Sequence, residues 1–153
     1  MNEKFAVNQS FYIRQFQIQD ADRIRILSEQ LGYNSTLKQI EQRLKKIQTN
    51  AAHILYVATV INDYVVAWGH ASVTDLLMLP NQVILWGLVV DENHRNQGIG
   101  KVLIQSIEQW ANQLGCAGIM LYSNIKRLET HLFYEKNGYT NIKQSLVFTK
   151  QFT

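Results

Sequence analysis

The sequence predicts an α/β fold of the α+β, mixed-sheet kind, mostly antiparallel and with helices on both faces. Three observations predict it. Three strand-length runs, Ile54 to Val60, Tyr64 to Thr74 and Val83 to Val90, follow one another with short connections, the pattern of an antiparallel meander. The third run passes through a glycine-containing turn into an apolar-striped helix and then another strand candidate; such a crossover requires its two strands to lie parallel. Two amphipathic helices precede the meander.

The elements follow in order. Phe11 to Phe16 alternates as a strand. Asp20 then caps a helix whose Ala21, Ile24, Leu27 and Leu31 recur at helical spacing and which Gly32 ends. Ser35 or Thr36 opens a second helix with Leu37, Ile40, Leu44 and Ile47 on one face and its lysines and arginine largely on the other. Asn62 and Asp63 make a hairpin turn between the first two strands of the meander. Past the third strand, Ile99, Leu103, Ile107, Trp110, Ala111 and Leu114 form a wide stripe on a helix that Gly115 stops. Ala117 to Ser123 is the next strand, Arg127 to Asn137 a short helix closed by Gly138, and Ser145 to Lys150 a final strand.

With 153 residues and 46% hydrophobic content, the chain can bury one substantial core, so a single domain over 1–153 is expected. No repeat, low-complexity tract or linker divides it. Cys116 has no partner for a bridge, and Met1 to Ser10 lacks the features of a secretory signal, so a reducing cytoplasm is expected. No apolar run approaches the roughly 18 residues of a membrane span. Fifteen basic and twelve acidic residues give a net charge of +3, which suits an anionic ligand. The basic residues are scattered apart from Lys38, Arg43, Lys45 and Lys46, which argues against nucleic acid as a partner.

The segment Val89 to Val102 reads V-V-D-E-N-H-R-N-Q-G-I-G-K-V. Gly98 and Gly100 let the backbone curl so that successive N–H groups point inward at a helix N-terminus, with Arg95 and Lys101 adding full charges: a cradle for a pyrophosphate. A dinucleotide fingerprint is excluded because its third glycine falls on Leu103. A P-loop is excluded by Arg95 where its first glycine belongs and by Val102 after Lys101.

Arg95-Asn96-Gln97-Gly98-Ile99-Gly100 meets the signature Q/R-x-x-G-x-G/A and resembles the GCN5-related N-acetyltransferase (GNAT) superfamily. The element order is similar to that family nearly from end to end. The resemblance implies splayed central parallel strands and acetyl-coenzyme A as co-substrate, with no metal. Its pyrophosphate would be bonded by main-chain N–H groups from Gln97 to Lys101, through Gly98, Ile99 and Gly100. Its pantetheine arm would pair with the backbone of Leu88, Val89 and Val90.

A second stretch, Arg127-Leu-Glu-Thr-His131-Leu-Phe133-Tyr134-Glu-Lys-Asn-Gly138-Tyr139, is similar to a later motif of the same family, R-x-x-A-H-x-F-Y-E-K-x-G-Y. The resemblance implies that Tyr134 protonates the departing coenzyme A thiolate, chemistry suited to a phenol that is protonated at neutral pH. Thr130 replaces the usual alanine. Many members carry asparagine where this chain has Arg127, so Arg127 is a candidate for a phosphate or the substrate, beside the plain reading of a solvated helix start.

Attack on a thioester needs a neutral amine, and many relatives supply a glutamate on the strand where this chain has Trp86. Trp86 and Gly87 suggest instead a bulged strand, with Gly87 permitting close approach of an acetyl group or backbone. The bulge would expose N–H groups near Leu88 and Val89 to an oxyanion. His70 on the neighbouring strand is the candidate base, with Glu129 or His131 acting through water as alternatives. No Cys or Ser stands beside a convincing base, so a ternary complex is expected rather than a covalent enzyme intermediate.

The acceptor is expected to be a small-molecule or peptide amine. It would be chosen by the two N-terminal helices and the Leu- and Met-rich loop from Thr74 to Gln82, in which Leu76, Leu77 and Met78 suit a homodimer contact or a lid. Two other functions fit the same residues: a non-catalytic acyl-coenzyme A sensor that lost its base, and a protein-directed acetyltransferase using the basic helix around Lys38 to Lys46.

Overall fold

Apolar alternation builds the sheet of the computed structural model, which describes residues 10–153. Five strands run in the spatial order β1 (Tyr12–Gln15), β2 (His53–Val60), β3 (Tyr64–Thr74), β4 (Gln82–Val90) and β5 (Ile119–Leu121). The first three pairings are antiparallel and β4 with β5 is parallel, as the crossover demands. The mixed sheet with helices that the sequence predicts is therefore present. Between β2 and β3, Asn62 and Asp63 both take positive φ, 59° and 55°, the backbone that a tight hairpin turn requires.

Helices α1 (Ala21–Gln30) and α2 (Leu37–Gln48) precede the meander, and α3 (Ile99–Gln113) follows it. Two apolar clusters separate the faces. Ile24, Leu27, Ile40 and Leu44 pack on Leu55, Val57 and Val89, whereas Ile99 and Leu103 pack on Ile13, Ala58 and Val66. Adjacent residues of one strand thus feed opposite layers, which the two-residue period of a strand dictates. Leu114, read as the end of the α3 stripe, is exposed.

The caps are local chemistry. Thr36 Oγ1 accepts from the Gln39 N–H at 3.2 Å while Gln39 Oε1 accepts from the Thr36 N–H at 2.9 Å, a reciprocal box that starts α2 at Thr36 rather than Ser35. Asp20 stands at the head of α1, but its carboxylate accepts from the Gln17 N–H and from Arg14, not from the helix. The Asp20 partnership, with further help from Asp63, raises the Arg14 pKa and locks the guanidinium in its charged form.

The chain divides into two compact units, one running to Tyr122 and one from Ser123. The second contains α4 (Leu128–Lys136), closed by the Tyr139 N–H donating to the Tyr134 carbonyl at 3.0 Å. The strand expected from Ser145 to Lys150 is not formed. Those residues pair with no other strand among the described residues, and Leu146, Val147 and Phe148 are exposed. Alternation marks a chain that suits a sheet, but only a hydrogen-bonded neighbour makes it a strand. The expected strand from Ala117 to Ser123 is likewise shorter, Ile119–Leu121.

Candidate functional site

The site begins as an unpaired strand edge. β4 is covered along one side by β3, but on the other it pairs with β5 only from Val83 to Leu85. From Trp86 to Val90 that second edge has no strand partner among the described residues. The Asp91 N–H donates to the Val66 carbonyl at 2.8 Å, so the alternation of an antiparallel ladder turns the N–H and C=O of Leu88 and Val90 to the open side. Val89 directs its main chain toward β3 and buries its side chain against α1.

A bulge marks where the edge opens. The register passes from Ala71 opposite Leu85 to His70 opposite Gly87, leaving Trp86 as the extra residue. The Trp86 indole is largely exposed and donates through Nε1 to Ser72 Oγ at 2.7 Å. A Cβ on Gly87 would stand 2.6 Å from Cη2 of Trp68, so a side chain here would have to displace that indole. Within the protein, the close approach at Gly87 is made by the Trp68 indole. The Nε1 of Trp68 is buried and without a hydrogen-bond partner among the described residues.

At the end of β4 the chain enters the glycine turn. Asp91 caps it, its Oδ1 accepting from the Asn93 N–H at 3.0 Å and its Oδ2 held by Arg23 of α1 at 2.9 Å. Burial pushes the Asp91 carboxyl up, but the Asn93 N–H and the Arg23 guanidinium outweigh it and hold the group below the usual carboxylate range. Arg23 also donates to the Val65 carbonyl and lies over the Tyr64 ring, and Gln30 Oε1 accepts from the Glu92 N–H. α1 therefore braces the turn at two points.

Asn96 and Gly98 take positive φ, 61° and 83°, and α3 starts at Ile99. The first helical N–H groups have no carbonyl four residues back within the helix, so those of Ile99, Gly100 and Lys101 are available to a ligand. Arg95 and Lys101 are exposed beside them, although Arg95 spends its Nε on the Val90 carbonyl at 3.1 Å. The open edge of β4 and this anion-ready helix start are continuous in sequence.

His70 is partly buried on β3, with its Nε2 2.9 Å from Nδ1 of His53 on β2 and the two rings stacked. Burial pushes the His70 imidazole down to about 4, with the proximity of His53 acting in the same direction. It is neutral at physiological pH.

In the second unit, Tyr134 makes edge-to-face contacts with Phe133 and Tyr139. Burial pushes its phenol up to about 12 against the opposing pull of Arg127, so the proton is held firmly at neutral pH. His131 is engaged with the Asn124 carbonyl through Nε2 at 2.9 Å, tying the start of the unit to α4, and Glu129 is exposed. Among the described residues no group of three or more His, Cys, Asp or Glu could hold a metal ion, and no helix is long and apolar enough to cross a membrane.

Arg23, Gln30, His53, Trp68 and Ser72 were not singled out from sequence. Arg23 and Asp91 are 68 positions apart, and His53 meets His70 only through the register of β2 on β3, so no local spacing announces either pair.

A profile of the Acetyltransferase (GNAT) family matches residues 20–139. Human N-acetyltransferase 8 is 30% identical over 77 residues; the match covers 50% of this chain and 34% of that protein, so the chain spans about a third of its length. Among solved structures, glucosamine-6-phosphate N-acetyltransferase from Arabidopsis thaliana superposes with a TM-score of 0.79 at 22% identity, covering 95% of this chain and 100% of that one. The aminoglycoside N-acetyltransferase AAC(6')-Iy, solved in complex with CoA, superposes with a TM-score of 0.82 at 17% identity, covering 95% and 99%. At these identities the superpositions speak for the fold.

Proposed function

Because the chain belongs to the acetyltransferase (GNAT) family, we propose that it moves the acetyl group of acetyl-coenzyme A to a primary amine by direct attack in a ternary complex. The observation that carries this reading is the open edge of β4 beyond Leu85 running into the positive-φ turn at the head of α3. The main-chain N–H groups of the turn, with Arg95 and Lys101, suit a pyrophosphate. The outward-facing groups of Leu88 and Val90 offer a ladder to the amide-bearing pantetheine arm, which an unpaired strand edge binds as it would another strand.

In this reading the Leu88 N–H, just past the bulge, stabilises the oxyanion as the amine adds to the thioester carbonyl. Tyr134 gives its proton to the thiolate as the C–S bond breaks, a role assigned from its motif and supported by a phenol that burial keeps protonated. His70 takes the amine proton. The acceptor is a small-molecule amine, in keeping with the small-molecule acceptors for which the two structural relatives are named. Cytoplasmic placement belongs to the same proposal, as does a contact between two copies through the exposed Leu77 and Met78.

A second reading, an acyl-coenzyme A sensor, is favoured by one observation: among the described residues the bulge carries Trp86 rather than a carboxylate, which leaves the weakly basic His70. Incubating the protein with acetyl-coenzyme A and a panel of amines separates the two. Release of coenzyme A matched by acetylated amine supports the enzyme; acetyl-coenzyme A binding without turnover of any amine supports the sensor.

A further inference from the structure

We propose that His53 is a positioning residue for His70: it accepts a hydrogen bond from His70 Nε2–H, which leaves the His70 Nδ1 lone pair free for the amine proton and spreads the resulting charge toward solvent. This inference rests on the acetyltransferase reading above.

The geometry allows two tautomeric arrangements, because Nε2 of His70 and Nδ1 of His53 are 2.9 Å apart and one of them carries the proton. If His53 donated, His70 would carry its own proton on Nδ1 and its acceptor nitrogen would be consumed by His53. If His70 donates, Nδ1 is the free acceptor. That atom makes no hydrogen bond among the described residues. His70 lies opposite Gly87, beside the bulge where the β4 edge opens, so its ring is on the strand pair that shapes the proposed reaction centre.

His53 also lines an open cleft of about 310 Å³ in which the amides of Gln15, Gln48 and Asn50 stand beside the apolar Phe16, Ile47 and Leu55. The amides can solvate positive charge without competing for a proton. On β4, Gly87 stands opposite His70. The proximity of His53 bears on the charge that His70 can carry.

The step balances simply. One N–H bond of the ammonium breaks as an N–H bond forms at His70 Nδ1, the nitrogen keeps its electron pair for attack, and His70 becomes an imidazolium whose Nε2–H is already held by His53. The same Nδ1 proton later passes to water. Burial and the proximity of His53 both lower the His70 pKa, and a neutral His53 accepting at Nε2 gives the imidazolium a hydrogen-bond partner.

The test compares His53→Phe, which keeps a stacking ring without an acceptor, with His53→Gln, which retains an amide oxygen to accept from Nε2–H. In His53→Phe, kcat at pH 7 is expected to fall about tenfold or more, with the acid limb of the kcat/KM profile displaced and acetyl-coenzyme A affinity kept; His53→Gln recovers most of the rate. An unchanged profile in His53→Phe, or a loss that His53→Gln does not restore, overturns the proposal. Nitrogen-15 imidazole spectra of the parent at pH 7 give a readout without turnover: protonated Nε2 on His70 is expected, and protonated Nδ1 on His70 overturns it. A parent that acetylates no amine defeats the acetyltransferase reading itself, whereas a working parent indifferent to His53 defeats only this inference.

Discussion

Single residues carry the sharpest consequences. Gly87 touches the Trp68 ring so closely that Gly87→Ala must displace the indole, and it should destabilise the fold by about 1–3 kcal/mol. Chemical denaturation reads this directly, and an unchanged midpoint would contradict the packing described. Tyr134→Phe removes only a hydroxyl; kcat should drop roughly 10²- to 10⁴-fold with acetyl-coenzyme A affinity little changed. His70 links the site to stability through protons. Its folded value of about 4 lies below the 6.5 of the unfolded chain, so the unfolded state binds the proton first. Stability is complete above 6.5 and falls as pH drops toward 4, by up to about 3 kcal/mol. Urea unfolding of the parent across that window should show this loss, and His70→Gln should flatten it. Tyr134 and His70 could be nominated from residue type and motif. His53 could not, because it meets His70 only through strand register.

At the scale of elements, the legible features were those with a local cause. Helical spacing located α1, α2 and α3; the Thr36–Gln39 box set one boundary and Asn62-Asp63 set the hairpin. The bulge was readable as well, since a glycine beside an exposed aromatic interrupts an otherwise regular strand. The bracing of the phosphate turn by α1 was not, because Arg23 and Gln30 look like ordinary polar-face residues until the helix is docked. A test belongs to this scale. Gly98 holds φ of 83°, so Gly98→Ala should cost about 1 kcal/mol in the folded turn and weaken acetyl-coenzyme A binding while leaving amine affinity unaffected. Equal affinity for acetyl-coenzyme A in parent and variant, measured by calorimetry, would speak against the turn as the anion site.

For the whole molecule, the order of elements was enough to anticipate a mixed sheet with one parallel pair, because a strand, helix, strand crossover leaves no other choice. The C-terminal segment shows the limit of the same logic. Ser145 to Lys150 alternates well, yet its apolar residues are exposed and no ladder forms. Pairing depends on what lies alongside, which a segment's own pattern does not contain. The donor side of the proposed reaction was legible for the opposite reason: one uninterrupted stretch, Leu88 to Lys101, holds the edge and the turn. Acceptor selection, spread over α1, α2 and the 74–82 loop, had no such compact signature. The most direct measurement is therefore mass-spectrometric detection of product from purified protein, acetyl-coenzyme A and a panel of small-molecule amines. The account predicts an N-acetylated amine and free coenzyme A in equal amounts, with no acetylated protein intermediate. Saturable acetyl-coenzyme A binding without acetylation of any amine would contradict it.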